Sequence, residues 1–297
     1  MTFTGNIYRP PFEADSLLLQ ATVGCSHNRC SFCTMYRDVQ FRAEPLEQIS
    51  KDLDEASLFY LDVKRVFLEN GDAFVLSADR LLAIAEMIHG KLPEVETIAM
   101  YASIKNILGK TDDNLKALRD AGINDLNIGV ESGYDPALRY MNKDHSAEDA
   151  IHELLRLKKA GFDFGLNIIL GCAGSGKQEE NAAATANLLN QTQPNLIFTG
   201  TMHSDPGCPL YDDMKSGAFM ENTVGEYLDE EEKLVGLLKL ENCRYFGLHP
   251  SNIVRVDAML PRDQEELLRE IRATRKYLSA DQLNSRPRRF GEGAVLL

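Results

Sequence analysis

Cys25-Ser26-His27-Asn28-Arg29-Cys30-Ser31-Phe32-Cys33 follows, one glycine on, the apolar run Ser16-Leu17-Leu18-Leu19-Gln20-Ala21-Thr22-Val23, and this junction decides how the rest of the chain is read. Half of the chain's 6 cysteines stand on that one loop. Cysteine usually packs singly, as a small buried hydrophobe. Thiolates this close together repel one another unless a metal or cluster holds them. The loop therefore reads as a set of soft ligands. Zinc asks for four ligands and only His27 stands nearby to complete a set, so a structural zinc site is the second choice. Iron with an open coordination position fits better, because a four-iron cluster held by three cysteines leaves one iron available to another ligand.

The segment resembles the cluster loop of the radical S-adenosylmethionine (radical SAM) superfamily. That resemblance implies an oxygen-sensitive [4Fe-4S] cluster on Cys25, Cys30 and Cys33, S-adenosylmethionine as the second cofactor, and Phe32 against its adenine. The first gap holds four residues where the commonest family spacing has three. The loop is expected to carry a one-residue bulge.

Composition narrows the setting. With 32 Lys and Arg against 45 Asp and Glu the net charge is -13, which favours solubility and argues against nucleic acid as a partner. No apolar run approaches a membrane span, and Met1-Thr2-Phe3-Thr4-Gly5-Asn6 lacks the basic and apolar regions of a signal peptide. A cytoplasmic protein without membrane contact is expected. Cys172, Cys208 and Cys243 are scattered; they give no case for disulfides, and their spacing is far from that of a compact auxiliary-cluster loop.

Along the chain, strands alternate with helices. Strands are expected at 16–23, 63–68, 97–101, 126–130, 164–170 and 196–199. Helices are expected at 45–60, at 77–89 with Ser77 as cap, at 111–121 with Thr111 as cap and Gly122 as stop, at 147–160, and after Lys177. This alternation argues for an α/β fold with a parallel sheet and outer helices. Six units are too few for a complete eight-stranded barrel. The resemblance implies a partial (β/α)6 TIM-like barrel, assigned to residues 12–220, with a small, mainly helical C-terminal extension over 221–297. In that extension Asp229-Glu230-Glu231-Glu232 reads as the solvated face of an acidic helix, 246–252 as turns, and 264–277 as an amphipathic helix. The tail from Arg286 to Gly293 reads as mobile.

Ligands of parallel sheets gather at the carboxyl ends of strands. After the second strand comes Glu69-Asn70-Gly71-Asp72, where radical SAM proteins carry a Gly-Gly-Glu-like segment, so Asp72 is the expected acceptor for the methionyl amine. After the third, Tyr101 and Ser103 offer polar groups; the alternative is a core tyrosine and a helix cap. The stretch Gly129-Val130-Glu131-Ser132-Gly133, followed by Lys143, resembles a large radical SAM branch that includes the Elongator catalytic subunit, methylthiotransferases and oxygen-independent coproporphyrinogen oxidase. The resemblance implies that Glu131 contacts the ribose hydroxyls and Lys143 the methionyl carboxylate. It also implies that Gly171 to Gly174 form a turn whose backbone approaches the adenine, with Ile168 or Ile169 as the apolar contact. Gly171 to Lys177 also copies the spacing of a P-loop. Gln178, however, stands where magnesium needs Ser or Thr, and Leu196-Ile197-Phe198-Thr199-Gly200 supplies no acidic partner.

The expected activity is reductive cleavage of S-adenosylmethionine and hydrogen abstraction by the 5′-deoxyadenosyl radical from a small-molecule or peptide substrate, driven by an electron donor such as flavodoxin or ferredoxin. Reaction subtype is left open, because this core serves many chemistries. His203, Cys208 and His249 are the candidate catalytic residues on substrate-facing segments, Cys208 having a structural alternative in its Pro-Gly-x-Pro-Leu turn. A zinc- or iron-sulfur-stabilised binding protein would explain the cysteines but not Gly71, Asp72 or Glu131. A P-loop-like nucleotide binder would leave the cysteines idle.

Overall fold

Leu17–Gln20 (β1) is the first apolar run realised as a strand, and it ends three residues after Leu17 because Ala21 turns the chain into Thr22–Val23 (β2), which pairs antiparallel with Arg42–Ala43 (β3). The loop of cysteines is thus the connection of a small ribbon. A computed structural model describes residues 1–60 and 62–287, and the part of the tail from 288 to 293 lies outside them. Two compact units are distinguished. The first comprises Met1–Asn28, Met35–Gly129 and His152–Phe164; the second comprises Arg29–Thr34, Val130–Ile151 and Gly165–Leu297.

In the first unit, Arg65–Glu69 (β4), Thr97–Ala102 (β5) and Ile123–Glu131 (β6) extend the sheet in the order β1-β4-β5-β6. All of these pairs are parallel, with Gln20 opposite Glu69 and Leu68 opposite Met100. The connections are helices: Leu46–Phe59 (α1), Ala78–Lys91 (α2), and Ile104–Leu108 (α3) with Asp112–Asp120 (α4). Side-chain caps fix their starts, since Ser77, Ser103 and Thr111 each accept from a backbone N–H three residues on, satisfying donors a helix leaves open. Leu19, Ile49, Leu53, Phe67, Leu81 and Ile84 are fully buried between helices and sheet, each contributing about 1.5–3 kcal/mol. At the amino end of β4, Arg65 grips the fully buried Glu13 through Nε and Nη2 at 2.8 and 2.5 Å and reaches Asp125 at 2.7 Å. That end is closed by charge pairing, which leaves the carboxyl end for the site.

The second unit carries Asp163–Leu170 (β7), Leu196–Thr201 (β8) and Cys243–Phe246 (β9), parallel in that order, with Asp257–Leu260 (β10) antiparallel on β9. Its helices are Asp135–Tyr140 (α5), the start of Ala147–Ala160 (α6), whose residues from His152 on belong to the first unit, Gln178–Thr192 (α7), Pro209–Ser216 (α8), Val224–Leu237 (α9), Gln264–Tyr277 (α10) and Ala280–Asn284 (α11). β9 and β10 were not expected. The solvated acidic face is corrected: Glu230 and Glu231 are 1% and 2% exposed. They stand three and four residues after Tyr227 and ahead of Leu234 and Val235, so helical spacing places them on the stripe that α9 packs against α7 and α10. Among the described residues no helix is long and apolar enough to cross a membrane.

The chain is α/β, of the partial TIM-like barrel class with a C-terminal extension.

Candidate active site

In the first unit the carboxyl end of β4 is fitted to the start of the cysteine loop. Gly71 has φ +25°, and a Cβ there would stand 2.2 Å from the Gly24 oxygen and 2.6 Å from the Cys25 Cα. Only glycine allows that approach. Asp72, 3% exposed, accepts from the Ser26 N–H at 2.9 Å and from its hydroxyl at 2.5 Å. The Asn106 amide approaches the same carboxylate at 3.5 Å. Asp72 thus holds the loop immediately after Cys25. Tyr36 closes the far end: its hydroxyl donates to Asn70 Oδ1 and accepts from the Gly71 N–H, both at 3.2 Å, while its carbonyl accepts from Asn28 Nδ2 at 2.6 Å. Asn28, inside the four-residue gap, takes φ +43°, a left-handed conformation that Asn tolerates better than most residues. Glu69 ends β4 fully buried, and burial pushes its carboxyl up to about 7. Ser103 spends its hydroxyl as the cap of α3, in a reciprocal pair with Asn106.

In the second unit Ser31, between Cys30 and Phe32, is tied down three ways. Its N–H donates to the Met141 carbonyl, its hydroxyl to the Tyr140 carbonyl, and its own carbonyl accepts from the Leu210 N–H, all at 3.0 Å. Lys143 Nζ stands 3.1 Å from Glu131 Oε1, with both side chains about 10% exposed or less. Burial pulls the Lys143 ammonium down, but the Glu131 carboxylate, with Cys30 and Asp144, more than compensates and leaves it above the ordinary lysine range. Glu131 itself has φ +70°. A non-glycine residue held in that region costs about 1–3 kcal/mol and persists where the surroundings over-determine it, often at functional sites.

After β7 the turn Gly171–Gly174 closes with the Gly174 N–H on the Gly171 carbonyl at 3.0 Å. Both glycines have φ near +80°. Ile168 is buried, and Ile169 is half-buried on the opposite face of β7. Behind the turn lies a polar cluster that sequence reasoning missed. Glu230 of α9 accepts from the Gly171 N–H at 2.9 Å, from Asn181 Nδ2 at 2.6 Å and from Asn222 Nδ2 at 3.1 Å. Burial pushes its carboxyl up to about 7 against those three bonds. Asn181 in turn accepts from the Ser132 hydroxyl at 2.6 Å. Cys172 packs beside Asn181 with its thiol raised well above the usual range by burial. The signal for Glu230 was hidden inside a run of four acids.

Of the substrate-facing candidates, His203 is half-buried, with Nε2 2.9 Å from Asp205 Oδ1. His249 is half-buried against Ser251 Oγ at 2.7 Å, and burial, with His203 and Arg255 nearby, lowers its pKa. Cys208 is 1% exposed and stands just before α8 without a side-chain capping bond, its thiol donating to the Asp205 carbonyl. Lys177 is exposed and paired with Glu180 at 3.0 Å.

The donor set on the cysteine loop suits an iron-sulfur cluster: three half-buried thiols, none in a disulfide, on a loop anchored at Ser26 and Ser31. Among the described residues no group of three or more His, Cys, Asp or Glu surrounds a single metal position, so the match is one of ligand chemistry and loop anchoring. Parallel strand-helix units with such a loop after the first strand, and a buried Glu-Lys pair at the end of a later one, suit an iron-sulfur protein of the partial-barrel class. The family model of the radical SAM superfamily matches residues 19–188, and the chain belongs to that superfamily. It is a radical SAM enzyme whose cofactors are a [4Fe-4S] cluster and S-adenosylmethionine.

The heme chaperone HemW of Bacillus subtilis is 24% identical over 195 residues, covering 60% of this chain and 51% of that protein. A tRNA-2-methylthio-N(6)-dimethylallyladenosine synthase of Colwellia psychrerythraea is 23% identical over 214 residues, 68% of this chain and 43% of that protein. Among solved structures, coproporphyrinogen III oxidase (HemN) from Escherichia coli aligns with a TM-score of 0.58 at 16% identity over 74% of this chain and 51% of that one. These matches fall in the branch that the sequence resembled. The chain spans about half, or less, of the length of the curated relatives it matches.

Proposed function

We propose that Cys25, Cys30 and Cys33 hold the cluster, and that Phe32, Glu131, Lys143, Ile169, Gly171 and Gly174 hold S-adenosylmethionine for hydrogen abstraction from a small-molecule or peptide substrate. The observation that carries this reading is the loop itself: its serines are bound to the protein at Asp72 and at Met141, while its thiols stay half-buried and outside any disulfide. When bound, the cluster and cofactor would supply the one-electron chemistry that cleaves the sulfonium of S-adenosylmethionine. The chain's own residues bind and orient. Lys143 offers a fixed positive charge to the methionyl carboxylate, and Glu131 an acceptor to the ribose hydroxyls. Asp72 and Ser103 serve indirectly, the first by fixing Ser26 and the second by capping the helix that carries Asn106. An electron donor of the flavodoxin or ferredoxin kind delivers the electron.

The relatives' names offer two other substrates, heme and transfer RNA. A net charge of -13 disfavours an RNA backbone, and the ionic partner of His203 is the acidic Asp205. Anaerobic protein reconstituted with iron and sulfide, then given dithionite and S-adenosylmethionine, should release 5′-deoxyadenosine. Fully loaded protein that releases none would overturn the reading.

A further inference from the structure

We propose that Glu230, on α9, is a positioning residue for the cofactor: its carboxylate holds the turn Gly171–Gly174 in shape and, through Asn181, fixes the strand end that bears Glu131. This rests on the reading that the turn lies against S-adenosylmethionine. The carboxylate is 1% exposed and meets three neutral donors, the Gly171 N–H and the amides of Asn181 and Asn222. Burying a carboxylate without a cation is costly, and an apolar residue would pack α9 on α7 without that cost. What the carboxylate adds is direction. A single buried acceptor joins the turn after β7, the first turn of α7 and the segment before α9.

The joint continues toward β6. Asn181 Oδ1 accepts from the Ser132 hydroxyl, which itself accepts from the Tyr134 N–H at 2.8 Å. The next residue, Gly133, donates its N–H to Thr185 Oγ1 at 3.0 Å, and a Cβ there would stand 2.4 Å from the Ala184 oxygen. Ser132 directly follows Glu131, whose left-handed backbone needs such over-determination. On the turn itself, a Cβ on Gly171 would stand 2.2 Å from the Tyr227 ring, one helical turn before Glu230 on α9. Tyr227 thus supports the turn by contact and Glu230 by hydrogen bonding. Helix α9 belongs to the C-terminal extension, which gives that extension a direct part in cofactor binding.

The test uses reconstituted enzyme and three variants, Glu230→Gln, Glu230→Ala and Asn222→Ala, each checked for iron content. Affinity for S-adenosylmethionine and hydrogen exchange of residues 170–176 are measured with and without the cofactor. In the wild type the cofactor should protect the amides of the turn. Glu230→Ala should weaken binding about tenfold by lowering the population of competent turn, with faster exchange at 171–174 and unchanged iron. Glu230→Gln, which retains an acceptor for the Gly171 N–H, should recover part of the loss. Asn222→Ala, which removes one donor and leaves the Gly171 bond, decides the matter if Glu230→Ala does not fold, and should weaken binding a few-fold. Lowered melting temperature with wild-type affinity in all folded variants would overturn the inference alone. Absence of turn protection in the wild type would overturn the reading of the turn and the inference with it.

Discussion

Replacing Gly71 with alanine should uncouple the cysteine loop from β4. The added Cβ would lie 2.2 Å from the Gly24 oxygen, 2.6 Å from the Cys25 Cα and 2.8 Å from the Gly24 carbonyl carbon, all backbone atoms. Bringing the shortest of these even to the 3.0 Å lower limit of real Cβ contacts requires a retreat of about 0.8 Å, and rotating a side chain cannot provide it. The φ of +25° adds strain of about 1–3 kcal/mol. The displaced atoms belong to Cys25, the first of the proposed cluster ligands, and to the residue before it, and Asp72 holds Ser26 through bonds that must stretch with them. A misplacement near 1 Å around reacting groups costs on the order of 100-fold in rate. Gly71→Ala should therefore lose iron on desalting and release 5′-deoxyadenosine about 100-fold more slowly than the wild type. The control is Gly90→Ala on α2, where a Cβ meets nothing within 4 Å and helix propensity favours alanine by about 1 kcal/mol. If the two variants match in iron content, melting temperature and rate, the close approach of β4 to the loop does not matter and the reasoning fails.

Cys25→Ala, Cys30→Ala and Cys33→Ala should each abolish the brown chromophore and the roughly four irons per chain expected of one cluster, by iron assay; stoichiometric zinc with no iron in the wild type would refute the ligand set. Lys143→Met should destabilise the fold by about 3–5 kcal/mol because Glu131 is left buried and unpaired, and adding Glu131→Gln should restore most of it in urea unfolding; equal stability of the single and double variants would count against the pair. Burial holds Glu231 at about 7 in the folded chain, against an ordinary value of 4.5. The folded state therefore binds the proton more tightly, and its contribution is present below 4.5 and lost as pH rises through 7. Glu231→Gln should flatten that decline by up to about 3 kcal/mol, and an unchanged pH slope would show that Glu231 titrates normally. Transfer RNA should bind weakly in a gel assay at physiological salt; tight, salt-sensitive binding with a modified nucleoside after turnover would move the enzyme among RNA-modifying members of its branch.

How much of this was legible in the sequence depended on the range of the forces involved. Helix α6 and helix α10 lie where their apolar spacing put them, and Ser77 and Thr111 cap as local chemistry suggests. The branch resemblance marked Glu131 and Lys143, and they meet at 3.1 Å. Strand β9 was hidden because Cys243-Arg244-Tyr245-Phe246 shows no clean alternation, and β10 because four residues are too few to establish a period. The acidic run on α9 misled for a different reason. Charge density says solvent, but helical geometry put Glu230 and Glu231 on the packed face, and their partners Gly171, Asn181 and Tyr245 are distant in sequence. Asp72 and Ser103 lie where their motifs suggested, at strand ends, yet their polar atoms engage Ser26 and Asn106, which no local pattern reveals.

Strand β10 has a consequence for anyone who shortens the chain. It is four residues long, covers one side of β9 and is followed at once by Pro261, and short strands ending in proline make poor templates for a neighbouring molecule. A chain stopped at residue 256 would keep the cysteine loop, Glu131, Lys143 and the Gly171 turn. It would also bare the row of amides on Cys243–Phe246, an apolar and aromatic segment. Self-association through that edge is the expected failure of such a product, and loss of soluble yield would then say nothing about the chemistry of the site.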